Sequence, residues 1–266
     1  MGLLLRRRRE TLSEPLIVIP ARMASTRLPG KPLADIAGAP MIVQVWRRAG
    51  EAGLGRVVVA AAEREILEAV ESAGGEAVLT DPDLPSGTDR VHQAAQALDP
   101  KGRHDIILNV QGDLPTLDPQ ILKTALDILE QTAADISTLV AEITDEAERA
   151  DPNVPRAILA LEPGKTRGRA LYFTRGAAPF GDGPDYHHIG LYGFRRAALA
   201  RFVALPPSPL ELREKLEQLR ALEAGMHIEA ALVDAVPLGV DTGGELERAR
   251  AILARATPDG KQVSKP

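Results

Sequence analysis

Apolar residues fall into two alternating patterns along the chain. Short unbroken runs, such as 16–20 ("LIVIP") and 56–61 ("RVVVAA"), are bounded by turn residues. Between them lie longer stretches whose apolar positions recur every three or four residues. The first pattern suits strands buried on both faces, and the second suits helices that cover them. The chain reads as strand 16–20, helix 41–52, strand 56–61, helix 63–73, strand 76–79, helix 88–98, strand 105–110 and helix 119–131. This alternation predicts an α/β fold with a doubly wound, mostly parallel sheet. Ligands in such sheets bind at the carboxyl ends of the strands.

The rhythm changes near Ala134. "DISTLVAEI", "RAILALEPG", "ALYF" and "HIGLYGF" are strand-like, with no long helix between them. They predict a smaller, mostly antiparallel insertion at about 135–195. Helical spacing returns at 196–203 and at 210–224, where Leu212, Leu216, Leu219 and Leu222 make an apolar stripe. Strand 228–233 and a closing helix 244–255 complete the pattern. One domain is expected over 15–256, with a disordered basic tail at 1–14 and a disordered end at 257–266.

Composition narrows the chemistry. The absence of cysteine excludes disulfides, thiolate metal sites and cysteine nucleophiles, and fits a reducing compartment. A net charge of −5 speaks against general nucleic-acid binding. No apolar run approaches the ~18 residues of a membrane span. In "MGLLLRRRRETLSEP" the leucines precede the arginines, the reverse of a secretory signal. Neither nucleic acid nor stable membrane association is expected.

Three strand ends carry candidate chemistry. After the first strand, "ARMASTRLPGK" sets Arg22, Arg27 and Lys31 among small residues. The loop has neither the GxxxxGK[ST] nor the GxGxxG spacing, yet its cations suit a polyphosphate. A solvated basic connection would read the same way. In "NVQGDLP", Asp113 follows a strand end and a permissive glycine, where a carboxylate could bind a hard cation such as Mg²⁺. In "GVDTGGELE", Asp241 could do the same, or serve as an N-cap or in an Asx turn. Ser86, Gly87 and Thr88 of "LPSGTDRV" could meet a base edge, or Thr88 could only cap the next helix. In "PSPLELREKLEQLR", Glu211, Glu214 and Gln218 share a face that reads as solvated, with Glu211 and Lys215 an i,i+4 pair. Adjacent His187 and His188 would point to opposite sides of a strand and would not share one metal.

Taken in order, "IPARMASTRLPGKPL", "SGTDR", "NVQGD", "LYFTR", "HIGLYGF", "PSPLE", "LEQLR" and "GVDT" resemble the 3-deoxy-manno-octulosonate cytidylyltransferase family, the CMP-Kdo synthetases. The resemblance runs from about Leu16 to Leu253. It implies a Rossmann-like nucleotidyltransferase, with the insertion used for dimerisation, that joins CTP to the sugar acid Kdo and releases pyrophosphate. It also implies Mg²⁺, a cytoplasmic homodimer and a role in lipopolysaccharide biosynthesis. On this resemblance Arg22, Arg27 and Lys31 hold the triphosphate, Ser86, Gly87 and Thr88 face cytosine, and Gln111 lies near the nucleoside. Asp113 and Asp241 carry the metal. Arg175, His188, Glu217 and Gln218 line the sugar-acid pocket. Arg22, Lys31, Asp113 and Asp241 form the catalytic set. The chain departs from the family pattern at Leu114, at Ala61 and Ala62, near Pro155–Arg156, at His187 and after Thr242. These departures leave room for another sugar acid, such as a sialic acid or 8-amino-Kdo. A nucleotide-binding regulator without activity is a further reading, against which Lys31, Asp113 and Asp241 count.

Overall fold

A computed structural model describes residues 14–256. The expected tails therefore lie, except for Glu14, outside the described residues. Strand β1 (Leu16–Ala21) leads through a long loop and a 3₁₀ turn at Lys31–Leu33 to a small hairpin, β2 (Asp35–Ile36) and β3 (Ala39–Pro40). There follow α1 (Met41–Glu51), β4 (Arg56–Ala61), α2 (Arg64–Ser72), β5 (Glu76–Leu79), α3 (Gly87–Leu98), β6 (Ile106–Asn109) and α4 (Pro119–Gln131). The second half comprises β7 (Ile136–Glu142), α5 (Glu146–Ala150), β8 (Arg156–Ala160), β9 (Arg167–Thr174), β10 (Tyr186–Arg195) and α6 (Arg196–Ala204). It ends with α7 (Pro209–Glu214), α8 (Leu219–Glu223), β11 (Ile228–Leu232) and α9 (Gly243–Ala256).

The long strands form one 9-stranded sheet, in the order β5-β4-β1-β6-β10-β7-β11-β9-β8. The unbroken run of β1 has a direct cause: Ile17 and Ile19 pack into the core on one face, Leu16 and Val18 into the core on the other. Helices α1, α2 and α4 contribute to the first core, and α3, α6 and α8 to the second. Asp118 caps α4 by accepting from Gln120 N, and Ser86 caps α3 by accepting from Asp89 N. The cap of α3 is thus Ser86 rather than Thr88.

Two expectations are corrected here. The sheet is parallel from β5 through β6 but mixed beyond it, because β10 runs antiparallel to both β6 and β7. Strand β9 already runs against β11, which is parallel to β7, and β10 follows it in the same direction, so β10 also runs against β7. The strands read as an insertion are therefore built into the main sheet, with β10 between β6 and β7. The second correction concerns 210–224, which is two short helices rather than one. Lys215, at φ 57° and ψ 45°, ends α7 in the left-handed region. Leu216 and Leu219 are buried after the break, whereas Leu212 is 65% exposed before it.

Candidate active site

Strands β1 and β6 lie side by side and parallel, with Val18 opposite Asn109. Their carboxyl ends can approach closely only because residue 112 is glycine: a Cβ there would lie 2.7 Å from the Pro20 carbonyl oxygen. The loop after β1 is anchored by Met23 N, which donates to Glu63 Oε2 (2.9 Å). It turns at Gly30, φ 69°, and so delivers Lys31 back to the strand ends. From the far end of the chain, Val240 N donates to Asp113 O (3.0 Å) and aligns the two aspartate segments.

The result is a compact ionic cluster. Lys31 Nζ donates to Asp113 Oδ2 (2.9 Å) and to Asp241 Oδ1 (2.8 Å). Arg27 Nη2 donates to Asp241 Oδ2 (2.8 Å). Burial alone would lower the Lys31 pKa, but Asp113 and Asp241 together raise it, so the ammonium is held charged. Asp241 is not the cap of α9. Thr242 and Glu245 cap that helix reciprocally, with Glu245 N donating to Thr242 Oγ1 (3.3 Å) and Thr242 N to Glu245 Oε2 (2.8 Å). The Asp241 carboxylate is left for the cluster.

This cluster borders a cavity of about 740 Å³, lined among others by Arg22, Arg27, Lys31, Ser86, Gly87, Gln111, Asp113 and Asp241. Such a volume suits a small-molecule site. A second cavity, of about 630 Å³ between α4, β9 and β11, contains none of the residues singled out from the sequence. Among the described residues no group of three or more His, Cys, Asp or Glu side chains could hold a metal ion. The Asp113–Asp241 pair nevertheless suits Mg²⁺, which usually takes one or two protein carboxylates with substrate phosphates. Both carboxylates already converge on one cation, the Lys31 ammonium.

Behind the cavity the side chains continue as a polar wall. Thr88, 1% exposed, donates to Glu217 Oε1 and lies 3.4 Å from Asn109 Nδ2. Burial pushes the Glu217 carboxyl up from its ordinary pKa, against the opposing pull of Thr88, Arg220 and Ser86. Next to Glu217, Gln218 Nε2 contacts His188 Nδ1 at 3.3 Å, and His188 Nε2 contacts Thr138 Oγ1 at 2.9 Å. Thr138 Oγ1 also lies 3.1 Å from Ile189 O and 2.9 Å from Leu191 O, so its single proton goes to a carbonyl. His188 then donates from Nε2 and accepts at Nδ1, as a neutral ring.

The residues expected for the sugar acid are less tightly gathered than those expected for the nucleotide. Neither Glu217, Gln218, His188 nor Arg175 lines the 740 Å³ cavity. His188 and Gln218 are buried, at 4% and 3% exposure, with the ring against Phe173 and Tyr192. Arg175 is half-buried and turned to backbone, with Nη1 donating to Asn153 O (2.9 Å) and Nε to Glu214 O (3.2 Å).

A family model described as Cytidylyltransferase matches residues 16–228. The 3-deoxy-manno-octulosonate cytidylyltransferase of Parvibaculum lavamentivorans is 72% identical over 247 residues, covering 93% of this chain and 95% of that protein. The belonging is decided by these matches. The chain belongs to the 3-deoxy-manno-octulosonate cytidylyltransferase family. Its namesake from Rhodospirillum rubrum is 67% identical over 240 residues, covering 90% of this chain and 95% of that protein. A solved CMP:2-keto-3-deoxy-manno-octonic acid synthetase complexed with CTP superposes with a TM-score of 0.84 at 39% identity, covering 92% of this chain and all of that one.

Within this cytidylyltransferase the departures from the family pattern lie away from the cavity lining. Leu114 is 8% exposed and packs in the core beneath the site. Ala61 and Ala62 are buried, and Glu63, the next residue, anchors the loop after β1. His187 Nδ1 meets Glu148 Oε1 at 2.5 Å, and buried Arg156 donates to the carbonyls of Arg149 and Gly176.

Sequence reasoning missed two contributors. Arg90 is 2% exposed and lines the cavity. It donates from Nη1 to Thr80 Oγ1 and Asp81 O, and from Nη2 to Pro82 O, so it ties the loop after β5 to α3. A cation beside Val91, Ala94 and Ala95 in α3 was the available signal. The other contributor is a Glu211–Arg220 pair across the break between α7 and α8. The i,i+4 spacing predicts a pair of Glu211 with Lys215. In the structure Arg220 Nε donates to Glu211 Oε2 (2.8 Å) and Nη2 to Oε1 (2.5 Å), a contact made possible by the reversal at Lys215.

The buried histidine has a consequence for stability. Burial, with a smaller contribution from His187, lowers the His188 pKa from 6.5 to about 3. Its depressed folded value means that the unfolded chain binds the extra proton. This contribution to stability is therefore present above about pH 6.5 and is lost as pH falls towards 3. Thermal melts between pH 7 and pH 4 should show a shallower acid loss for His188→Gln than for the native protein. Equal acid sensitivity would reject a neutral buried His188.

Proposed function

We propose that this cytidylyltransferase joins CTP and Kdo to give CMP-Kdo and pyrophosphate, for lipopolysaccharide biosynthesis. The observation that carries the reading is the convergence of Lys31, Asp113 and Asp241, with Arg22 and Arg27, beside one cavity at the strand ends. The anomeric hydroxyl of Kdo attacks the α-phosphorus in line as the bond to pyrophosphate breaks. Such a transfer depends on positioning and charge neutralisation more than on covalent help from the protein. Arg22, Arg27 and Lys31 hold the phosphates. Ser86 and Gly87 face the cytosine, with Gln111 beside the nucleoside; Thr88, expected to face the base as well, is buried behind them on Glu217.

Asp113 and Asp241 would hold Mg²⁺, which neutralises charge on the phosphates when bound. Glu217 and Gln218 meet the sugar acid, His188 holds Gln218 from behind, and Arg175 meets the sugar carboxylate after turning from its backbone partners. The chain works as a cytoplasmic homodimer. Dimerisation would cover the exposed apolar side chains of Leu171, Phe180 and Leu212. No helix among the described residues is long and apolar enough to cross a membrane.

The test is pyrophosphate release from CTP and Mg²⁺ with Kdo, 8-amino-Kdo or a sialic acid, and from UTP with Kdo. Release with CTP and Kdo well above the other combinations is expected. Preference for another acid would reassign the substrate, and no release with any would leave a nucleotide-binding regulator.

The burial of Leu114 favours Kdo over a shifted specificity. A leucine facing a polar substrate would leave its neighbours unpaired, whereas this one packs into the core. Leu114→Glu is expected to change relative kcat/KM among Kdo and its analogues by less than about fivefold, or about 1 kcal/mol. A tenfold switch in the preferred acid would put position 114 in the substrate pocket.

A further inference from the structure

The Lys31 ammonium lies between the two carboxylates proposed to hold a divalent cation, 2.9 Å from Asp113 Oδ2 and 2.8 Å from Asp241 Oδ1. Its side chain is only 15% exposed. Arg27 takes the remaining oxygen of Asp241 at 2.8 Å. Two carboxylates face two cations, so the cluster carries no net charge toward a further cation. A divalent ion entering here must compete with an ammonium already bonded to both of its ligands. Mg²⁺ is poorly placed for that contest, since it gives up its waters reluctantly and relies on few protein ligands.

A triphosphate changes the balance. It offers several anionic oxygens to the same two cations, and lysine is a point charge on a flexible stem that can follow them. A movement of Lys31 to the phosphates would also expose the aspartates to the metal.

We infer that Lys31 is an internal counter-ion that makes metal binding depend on nucleotide: the divalent cation enters with the triphosphate and not before it. The inference rests on the reading of Asp113 and Asp241 as metal ligands. Because coupling between two ligands is reciprocal, the metal should also strengthen nucleotide binding, and both enhancements should shrink without the lysine.

Mn²⁺ is the probe, with free and protein-bound ion distinguished by electron paramagnetic resonance on the full chain at low salt and without sugar acid. The native protein should bind Mn²⁺ weakly alone and much more tightly with CTP. Lys31→Met and Lys31→Gln should each bind Mn²⁺ at least tenfold more tightly than the native protein when CTP is absent. Adding Asp113→Asn to Lys31→Met should abolish that gain. Melting temperatures taken on the same samples identify any variant that has not folded.

Native protein that binds Mn²⁺ as tightly without CTP as with it would overturn the inference with no variant needed. Unchanged affinity in both folded lysine variants would also overturn it. In that case the metal reading survives if Asp113→Asn still abolishes the complex of protein, CTP and Mn²⁺. If neither Asp113→Asn nor Asp241→Asn alters Mn²⁺ binding with CTP, the metal reading falls and takes the counter-ion role with it.

Discussion

Asp113→Asn is expected to lower turnover of CTP and Kdo by about a hundredfold or more, the scale seen when a preorganised charge is removed from a reacting centre. The substitution keeps the shape of the side chain and removes one of only two carboxylates at the cluster. Asp241→Asn should act in the same direction. Folding should be little affected, because Asp113 and Asp241 keep 30% and 41% of their side-chain surface and their ion pairs are partly solvated. Pairs of this kind contribute ~1 kcal/mol or less. Activity should recover in part as Mg²⁺ is raised, since the lost ligand weakens binding and leaves the rest of the site in place. A normal response to Mg²⁺ with a collapsed melting temperature would make the aspartates structural.

Glu211→Ala is expected to produce the largest loss of stability. Glu211 and Arg220 are each 10% exposed at the side chain, and their contact spans the break at Lys215. Glu211 also accepts from Ser208 N (3.0 Å) and completes the cap of α7. Its removal leaves Arg220 without its carboxylate, with the guanidinium 5.0 Å from the centre of the Phe202 ring. Breaking a buried pair from one side costs ~3–5 kcal/mol. The melting temperature should fall by roughly 10 °C, given ~2–4 °C per kcal/mol for a chain of this size. Glu217 and Gln218 lie between the break and Arg220, so the KM for the sugar acid should rise more than that for CTP. Lys215→Ala should change neither quantity appreciably. An unchanged melting temperature in Glu211→Ala, or an equal loss in Lys215→Ala, would return Glu211 to the i,i+4 pairing expected from its spacing.

The chain's own pattern determined the elements whose ends carry local signals. Strands at 56–61 and 76–79 and the helix at 119–131 have the observed boundaries, because Gly55 and Gly75 precede the strands and Asp118 with Pro119 opens the helix. The positions of the loop cations and of Asp113 after β1 and β6 were also legible, whereas Asp241, expected at a strand end, stands nine residues after β11 in the approach to α9. Periodicity could not place β10 between β6 and β7, nor show that the helix at 210–224 breaks at Lys215. Helical spacing is the same on both sides of that break, and Glu211 pairs with Arg220 across it. Nor could it decide that Asp241 leaves the cap of α9 to Thr242 and Glu245, or that His188 is buried with Thr138 and Gln218. The meeting of Lys31 with Asp241 joins residues 210 positions apart. Local sequence sets which backbone shape each segment prefers. Which distant charges come to share a hydrogen bond depends on how those segments pack, and here the packing of α9 on the β2–β3 hairpin, with Val240 N bonded to Asp113 O, brings the second aspartate to the lysine.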